Sequence, residues 1–253
     1  MRYLNMIRNI TNWPLHIKYK LGVKTPDPLE FMLKNGINCE VPKRLYHEFK
    51  MIFFENTYRV GHNKRIINQN PIIIDIGANV GFFSAFAISK FPNCNVYSYE
   101  PVGANFKQLL RNSELNPDKS FKCFNNAVCG HKGTIRINFE KHDEFTTSAT
   151  IKDNDKGNMV SIEVPCLRLS DIFDDNNIDK CDFLKIDCEG AEYDVLYNTP
   201  TTYIDRIDQM VIEVHHDNYG KENLESLRDF LITNKFNLFQ FRNRPGLLWA
   251  YRT

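Results

Sequence analysis

The chain has 253 residues, 42% apolar and 25% charged, the makeup of an ordinary globular protein with enough chain to bury a large core. Thirty-two Lys and Arg against 31 Asp and Glu leave a formal charge of +1, so no overall positive field exists to hold a polyanion, and nucleic acid is not expected as a partner. Seven cysteines, an odd number without a Cys-x-x-Cys pair, fit neither a zinc ribbon nor a disulfide framework and read as reduced thiols of a cytoplasmic protein.

Residues 1–70 form an N-terminal extension carrying Trp13-Pro14, several aromatics and Phe53-Phe54-Glu55. Its first ten residues mix polar with apolar side chains and lack the apolar core and small-residue cleavage site of a signal peptide. No apolar run in the chain approaches the ~18 residues of a membrane-spanning helix. Lys18, Lys20 and Lys24 around Leu21 read as a solvated face or as a peripheral contact with an anionic membrane or a lipid-linked substrate.

From Pro71 onward (residues 71–253), strand-length apolar runs alternate with helical spacing, the pattern of a parallel sheet covered by helices. Ile72 to Asp75 is the first strand, followed by a helix over Val80 to Lys90. Asn95 to Glu100 is the second, followed by a helix over Gly103 to Leu115 with Phe106, Leu109 and Leu110 on its apolar face. A third strand ends near Asn125 to Val128. Cys129 to Val164 interrupts the alternation with a hairpin through Gly130-His131-Lys132-Gly133 and a polar loop from Glu140 to Asn158, read as an active-site cover or a surface loop. Phe183 to Asp187 and Met210 to Val214 are the fourth and fifth strands, with a short helix around Tyr193 to Tyr197 between them. After a helix over Lys221 to Asn234, Phe236 to Phe241 and Leu247 to Tyr251 flank a Pro245-Gly246 turn as a closing antiparallel hairpin.

The most informative segment is Asp75-Ile76-Gly77-Ala78-Asn79-Val80-Gly81, which leaves a strand and opens a helix. Glycine there lets the backbone turn tightly and a ligand approach closely, so Val at Gly77 is expected to block the ligand without unfolding the sheet. A dinucleotide site needs three glycines and a phosphate loop needs Gly-Lys-Ser/Thr; neither is present. Glu100, ending the second strand, is placed to accept both hydroxyls of an adenosyl ribose. Together they point to a nucleoside without a pyrophosphate. The bland alternative makes Asp75 a helix cap and Glu100 a solvated strand end.

The same loop, with Tyr99-Glu100-Pro101, Asn126-Ala127-Val128 and the block Lys185-Ile186-Asp187-Cys188-Glu189-Gly190-Ala191-Glu192, in this order, resembles the FkbM family of methyltransferases. The resemblance covers roughly residues 70–251, and its most specific part is Asp-x-Glu-Gly-x-Glu. It implies a Rossmann-like class I methyltransferase fold, an α/β sheet that is mostly parallel with an antiparallel C-terminal hairpin. It also implies S-adenosylmethionine as cofactor and O-methylation of a hydroxyl, often on a sugar or polyketide, with a small-molecule or glycan acceptor as partner. On the family pattern Asp75, Gly77, Asn79 and Gly81 lie along the cofactor, Glu100 on its ribose, and Asn126 or Ala127 beside the adenine.

A hydroxyl acceptor must lose a proton, which calls for a base within hydrogen-bond reach. If the chain stays extended, Asp187 and Glu189 point the same way from the end of the fourth strand, and Glu213 and His215 do so from the fifth. Asp187, Glu189 and His215 are therefore the candidate catalytic residues, with His215 a candidate general base. The competing structural reading has Asp187 cap the following helix while Glu189 and Glu192 complement its dipole. Asp187, Glu189, His215 and Asp217 are metal-ligand types, but they come from separate loops without a compact motif, and no metal is assigned. Tyr219, Trp249 and Tyr251 read as core, with stacking on a sugar as the alternative. Two other functions share the fold: a nicotinamide-dependent oxidoreductase, disfavoured by the missing third glycine, and a non-catalytic cofactor-binding protein, which would need none of Asp187, Glu189 or His215.

Overall fold

Along the first sheet strand, Ile73 joins the apolar cluster on one face while Ile74 and Ile76 join the cluster on the other, as the two-residue period of a strand requires. The computed structural model describes residues 2–58, 68–140, 145–146, 159–215, 223–241 and 244–252. The chain opens with α1 (Arg2–Asn9), α2 (Pro14–Lys20), the hairpin β1 (Leu29–Met32) and β2 (Asn38–Val41), and α3 (Tyr46–Phe53). Then come β3 (Ile72–Ile76), α4 (Phe82–Lys90), β4 (Asn95–Tyr99), α5 (Gly103–Glu114) and β5 (Ser120–Phe124). A small sheet follows from β6 (Ala127–Val128), β7 (Gly133–Glu140) and β8 (Met159–Leu167). The remainder is α6 (Leu169–Asp175), β9 (Phe183–Ile186), α7 (Glu192–Tyr197), α8 (Thr201–Ile204), β10 (Gln209–Glu213), α9 (Leu224–Thr233), β11 (Asn237–Phe239) and β12 (Leu247–Tyr251).

Seven strands form the main sheet in the order β11-β12-β10-β9-β3-β4-β5. The pairs from β10 through β5 are parallel, and β12 runs antiparallel to both β10 and β11. The expected mostly parallel sheet with an antiparallel C-terminal pair is therefore present. The chain builds outward from β3 to β5 and then returns to place β9 on the other side of β3, which makes the β3–β9 boundary the switch point of the sheet. No helix among the described residues is long and apolar enough to cross a membrane.

Three local expectations are corrected. The third sheet strand is β5, ending at Phe124, whereas Ala127 and Val128 pair in parallel with β8 in the small sheet. The Gly130 to Gly133 turn does not close a hairpin, because β6 and β7 both flank β8 and the antiparallel pair is β7 with β8. Here β6 and β8 bring the Cys129 and Cys166 thiols to 3.7 Å from the two ring nitrogens of His131. The Glu140–Asn158 loop lies almost wholly outside the described residues. On α5 the buried stripe is Asn105, Leu109 and Asn112, and Leu110 is exposed. Leu109 and Phe106 do face the core, and the rest of the stripe is polar for a reason: Asn112 and Asn116 act as a surrogate strand edge. Their amides donate to the carbonyls of Glu40 and Asn38 and accept from the backbone N–H groups of the same residues.

The N-terminal stretch shares one core with this face of the sheet. Phe49 meets Phe82 and Phe53 meets Phe86 edge-on, with ring centroids 5.5 and 5.4 Å apart, so α3 packs along α4. Two charges interrupt the same face. Asp75 on β3 and Lys185 on β9 are 0% and 3% exposed, with Lys185 Nζ 3.1 Å from Asp75 Oδ1. Asp75 Oδ2 accepts from Ser84 Oγ of α4 at 2.6 Å. Burial opposes the ammonium charge, yet Asp75 and Asp187 hold Lys185 above the ordinary lysine range. Lys185→Ala is expected to cost about 3–5 kcal/mol of stability in urea denaturation, because it leaves a buried carboxylate uncompensated, and pairing Lys185→Met with Asp75→Leu should recover part of that loss.

Candidate active site

The carboxyl ends of β3, β4, β9 and β10 converge at the switch point, and the loop after β3 shapes the floor. Gly77 has φ +72°, and a Cβ there would overlap the Asp187 carbonyl oxygen at the end of β9. The glycine is thus demanded by the neighbouring strand of the protein itself, and a Val would displace that strand end before it blocked a ligand. Asn79 is also left-handed, at φ 51°. Its backbone N–H donates to Glu100 Oε2 at 2.8 Å, and its side-chain oxygen accepts from the Val80 N–H. Gly81 precedes α4 at φ +86°, with Leu109 Cδ1 and Phe121 where its Cβ would stand.

A first cavity is lined by Gly77, Asn79, Glu100, Asn105, Asn126 and Ala127, among others. Five of the expected cofactor residues therefore meet there, with Asn105 beside them. Asp75 and Gly81 are not in the lining: Asp75 lies beneath the loop on Lys185 and Ser84, and Gly81 lies under α5. Glu100 is 5% exposed, and its two oxygens accept from the N–H groups of Asn79 and Val102. Burial raises its pKa to about 7 against the pull of those donors. The Asn105 amide adds a third donor at 3.4 Å from Oε1, and since a carboxylate has about four acceptor positions, one remains for a ligand hydroxyl. Thr146, one of three described residues of the Glu140–Asn158 segment, accepts through its carbonyl from the Asn79 and Asn105 amides and lines the same cavity.

A second cavity of about 370 Å³ adjoins the first and includes Tyr58, Phe82, Lys185, Glu213, Arg244 and Leu247 in its wall. Gly77, Asn79, Asp187 and Glu189 line both. Arg244 donates to Thr57 Oγ1 at 2.8 Å and to Glu55 at 3.1 Å, tying the approach to β12 to the end of the N-terminal stretch. Tyr58 places its hydroxyl 3.0 Å from Asp187 Oδ2 and 3.2 Å from Glu213 Oε2. Burial and the two carboxylates push that phenol well above its usual range, so it stays a donor. Lys185 Nζ donates to the Gly77 carbonyl at 2.7 Å and stands 3.5 Å from Asp187 Oδ2.

Beyond Asp187 the chain does not stay extended: Glu189 is left-handed at φ 52° and Gly190 at φ 109°. Glu192, 0% exposed, organises this turn by accepting from the N–H groups of Cys188 and Gly190. The helix-end reading therefore applies to Glu192, whereas Asp187 faces Tyr58 and Lys185 and Glu189 faces both cavities. His215 puts Nδ1 2.7 Å from Glu192 and Nε2 3.4 Å from Glu189. Burial disfavours its charge, but the hydrogen bond and charge of Glu192, then Glu189, raise its pKa to about 9. At neutral pH it is an imidazolium and has no lone pair to take a proton, contrary to its expected role as base. Burial raises Glu189 to about 7 even though His215 pulls it down. Asp187, Glu213 and His215 offer ligand atoms within 4.8 Å of one another, but Lys185 and the imidazolium already supply cations there. Asp217 and Tyr219 lie outside the described residues. Trp249 is core, as expected, donating through Nε1 to the Tyr58 carbonyl.

Tyr58, Lys185 and Arg244 were not singled out from sequence. A lysine inside the apolar run Phe183 to Ile186 was a legible signal, since an unpaired ammonium is not tolerated there. Tyr58 carries no local signal, and its partner Asp187 is far away in sequence.

The family model "Methyltransferase FkbM domain" matches residues 75–241. The chain is 26% identical to methyltransferase sdnD of Sordaria araneosa over 206 residues, 71% of this chain and 78% of that one. It is also 26% identical to the 31-O-demethyl-FK506 methyltransferase FkbM of Streptomyces tacrolimicus over 208 residues, 71% and 76% of the two chains. Among solved structures, methyltransferase FkbM from Methylobacillus flagellatus superposes with a TM-score of 0.52 at 14% identity, covering 82% of this chain and 54% of that one, a likeness of fold.

Gly77→Ala should lower the melting temperature and disturb the Asp187 end of β9, because the added methyl meets the backbone rather than a movable side chain. A melting temperature and near-ultraviolet circular dichroism equal to wild type would show that the two strand ends are not locked in this way.

Proposed function

The chain belongs to the FkbM methyltransferase family, and from that premise we propose that it transfers a methyl group from S-adenosylmethionine to a hydroxyl oxygen of a saccharide-bearing or other small-molecule acceptor. The observation that carries the reading is the shared wall: Gly77, Asn79, Asp187 and Glu189 face both cavities, so a donor in one and an acceptor in the other would meet across it. The oxidoreductase and non-catalytic alternatives give way to the family assignment. Seven free cysteines support a reaction in a reducing cytoplasm.

When bound, the cofactor supplies the methyl group and a neutral thioether leaving group. Glu100 would accept from a ribose hydroxyl, and Asn126 and Ala127 would hold the adenine. Asp187, itself fixed by Tyr58 and Lys185, accepts from a neighbouring hydroxyl of the acceptor and so leaves the reacting O–H directed at Glu189. Glu189 takes the proton, since a carboxylate raised to about 7 is matched to work near neutrality. The His215 imidazolium positions Glu189 and keeps its pKa from rising further. The polar and charged rim from Thr57, Glu48 and Arg244 over an apolar floor of Phe82 and Leu247 suits a hydroxylated ring.

Affinity for S-adenosylhomocysteine, measured by calorimetry, should fall as pH drops through about 7, where Glu100 becomes protonated, and Glu100→Gln should bind more weakly with no such dependence. At saturating cofactor, kcat should fall over the same range as Glu189 is protonated. Glu189→Gln should reduce kcat by about 10²–10⁴ with little change in cofactor affinity, and His215→Ala should move the acid limb to higher pH. Normal turnover by Glu189→Gln would remove Glu189 as the base.

A further inference from the structure

Eleven large apolar side chains are exposed among the described residues, and six of them, Tyr3, Leu4, Ile7, Ile17, Leu21 and Val23, fall within one short stretch. On α1, Tyr3, Leu4 and Ile7 share one face by helical spacing, while Met6 and Asn9 are buried against the body of the protein. On α2, Ile17 and Leu21 stand one turn apart, and Leu21 is 76% exposed. The Tyr3 and His16 rings, 6.3 Å between centroids, hold the two helices side by side. Arg2, Arg8, Lys18, Lys20 and Lys24 are exposed in the same stretch, and residues 2–24 contain no Asp or Glu. Arg2 also approaches Glu55 at 3.6 Å.

We propose that α1, α2 and the turn after them form a docking surface for an anionic lipid bilayer. Scattered exposed apolar residues are ordinary, but this is a concentration of them, and such patches mark interaction sites. Aliphatic and aromatic side chains enter the boundary between headgroups and acyl chains, while arginines and lysines beside them meet lipid phosphates. Charge argues against a second copy of the chain as the occupant, because a two-fold contact would set five cations against five with no carboxylate in the stretch to offset them. The inference is independent of the acceptor's identity, since none of these side chains lines the two cavities of the active site.

The test is co-sedimentation of the full chain with phosphatidylcholine vesicles and with vesicles that also contain phosphatidylglycerol. Binding is expected to the anionic vesicles and to weaken with salt. Leu4→Glu with Leu21→Glu should lower partitioning at least tenfold, and Lys18→Gln, Lys20→Gln and Lys24→Gln about fivefold each. S-adenosylhomocysteine binding should be unchanged in all of them, which separates loss of docking from loss of fold. Equal partitioning onto both vesicle types, or onto anionic vesicles by wild type and both variant sets alike, would overturn the proposal. So would a concentration-dependent dimer abolished by the Leu4 and Leu21 substitutions, which would assign the face to another copy.

Discussion

A single buried ammonium, Lys185, holds the ends of β3 and β9 in the arrangement on which the site depends. It bonds the Gly77 carbonyl where β3 ends, pairs with Asp75 inside the sheet and reaches Asp187 where β9 ends. Taking this charge out of water costs several kcal/mol, so it persists only because carboxylates and carbonyls surround it. The arrangement fixes two things together. The cofactor loop is drawn against β9 so closely that only glycine fits at position 77, and Asp187 is left with one oxygen committed and its side chain at the wall between the cavities.

Glu192 does for the acidic turn what Lys185 does for the strands. Holding Glu189 in the left-handed region costs about 1 kcal/mol or more, offset by the backbone donors that converge on Glu192. The strain aims Glu189 at both cavities, and His215 bridges the two glutamates. Because the folded-state pKa of His215 is raised, this ion pair contributes fully below the ordinary histidine value and is lost as pH rises through about 9. The imidazole that looked like a base is held between two carboxylates that favour its charged form, and the carboxylate that looked like a helix-end residue opens onto both cavities.

What was legible in the sequence follows from local rules. Strand runs, helix spacing and the Asp75–Gly81 turn are short-range patterns, and they delivered the sheet and the lining of the first cavity. What was not legible is set by partners distant in sequence. Asp75 reads as a ligand group until Lys185 is found beneath it. Asn112 and Asn116 look like polar surface until the β1–β2 hairpin is seen to need their amides. Asp187 and Glu189 look equivalent at a spacing of two until the turn at Glu189 separates them. In each case the pattern gave the residue its element and tertiary contact gave it its role.

The match to the family spans residues 75–241, and the second cavity draws nearly half of its wall from outside that span. Glu48, Met51, Thr57 and Tyr58 come from before that span, and Arg244 and Leu247 from after it. The guanidinium of Arg244 joins the two flanks through Thr57 and Glu55, so the cavity closes only when both ends of the chain are folded onto the shared domain. The first cavity is thus lined from within the family span alone, and the second joins that span to both flanks of the chain. Glu48, Thr57, Tyr58 and Arg244, all distant in sequence from Asp187, share the wall of that cavity with it.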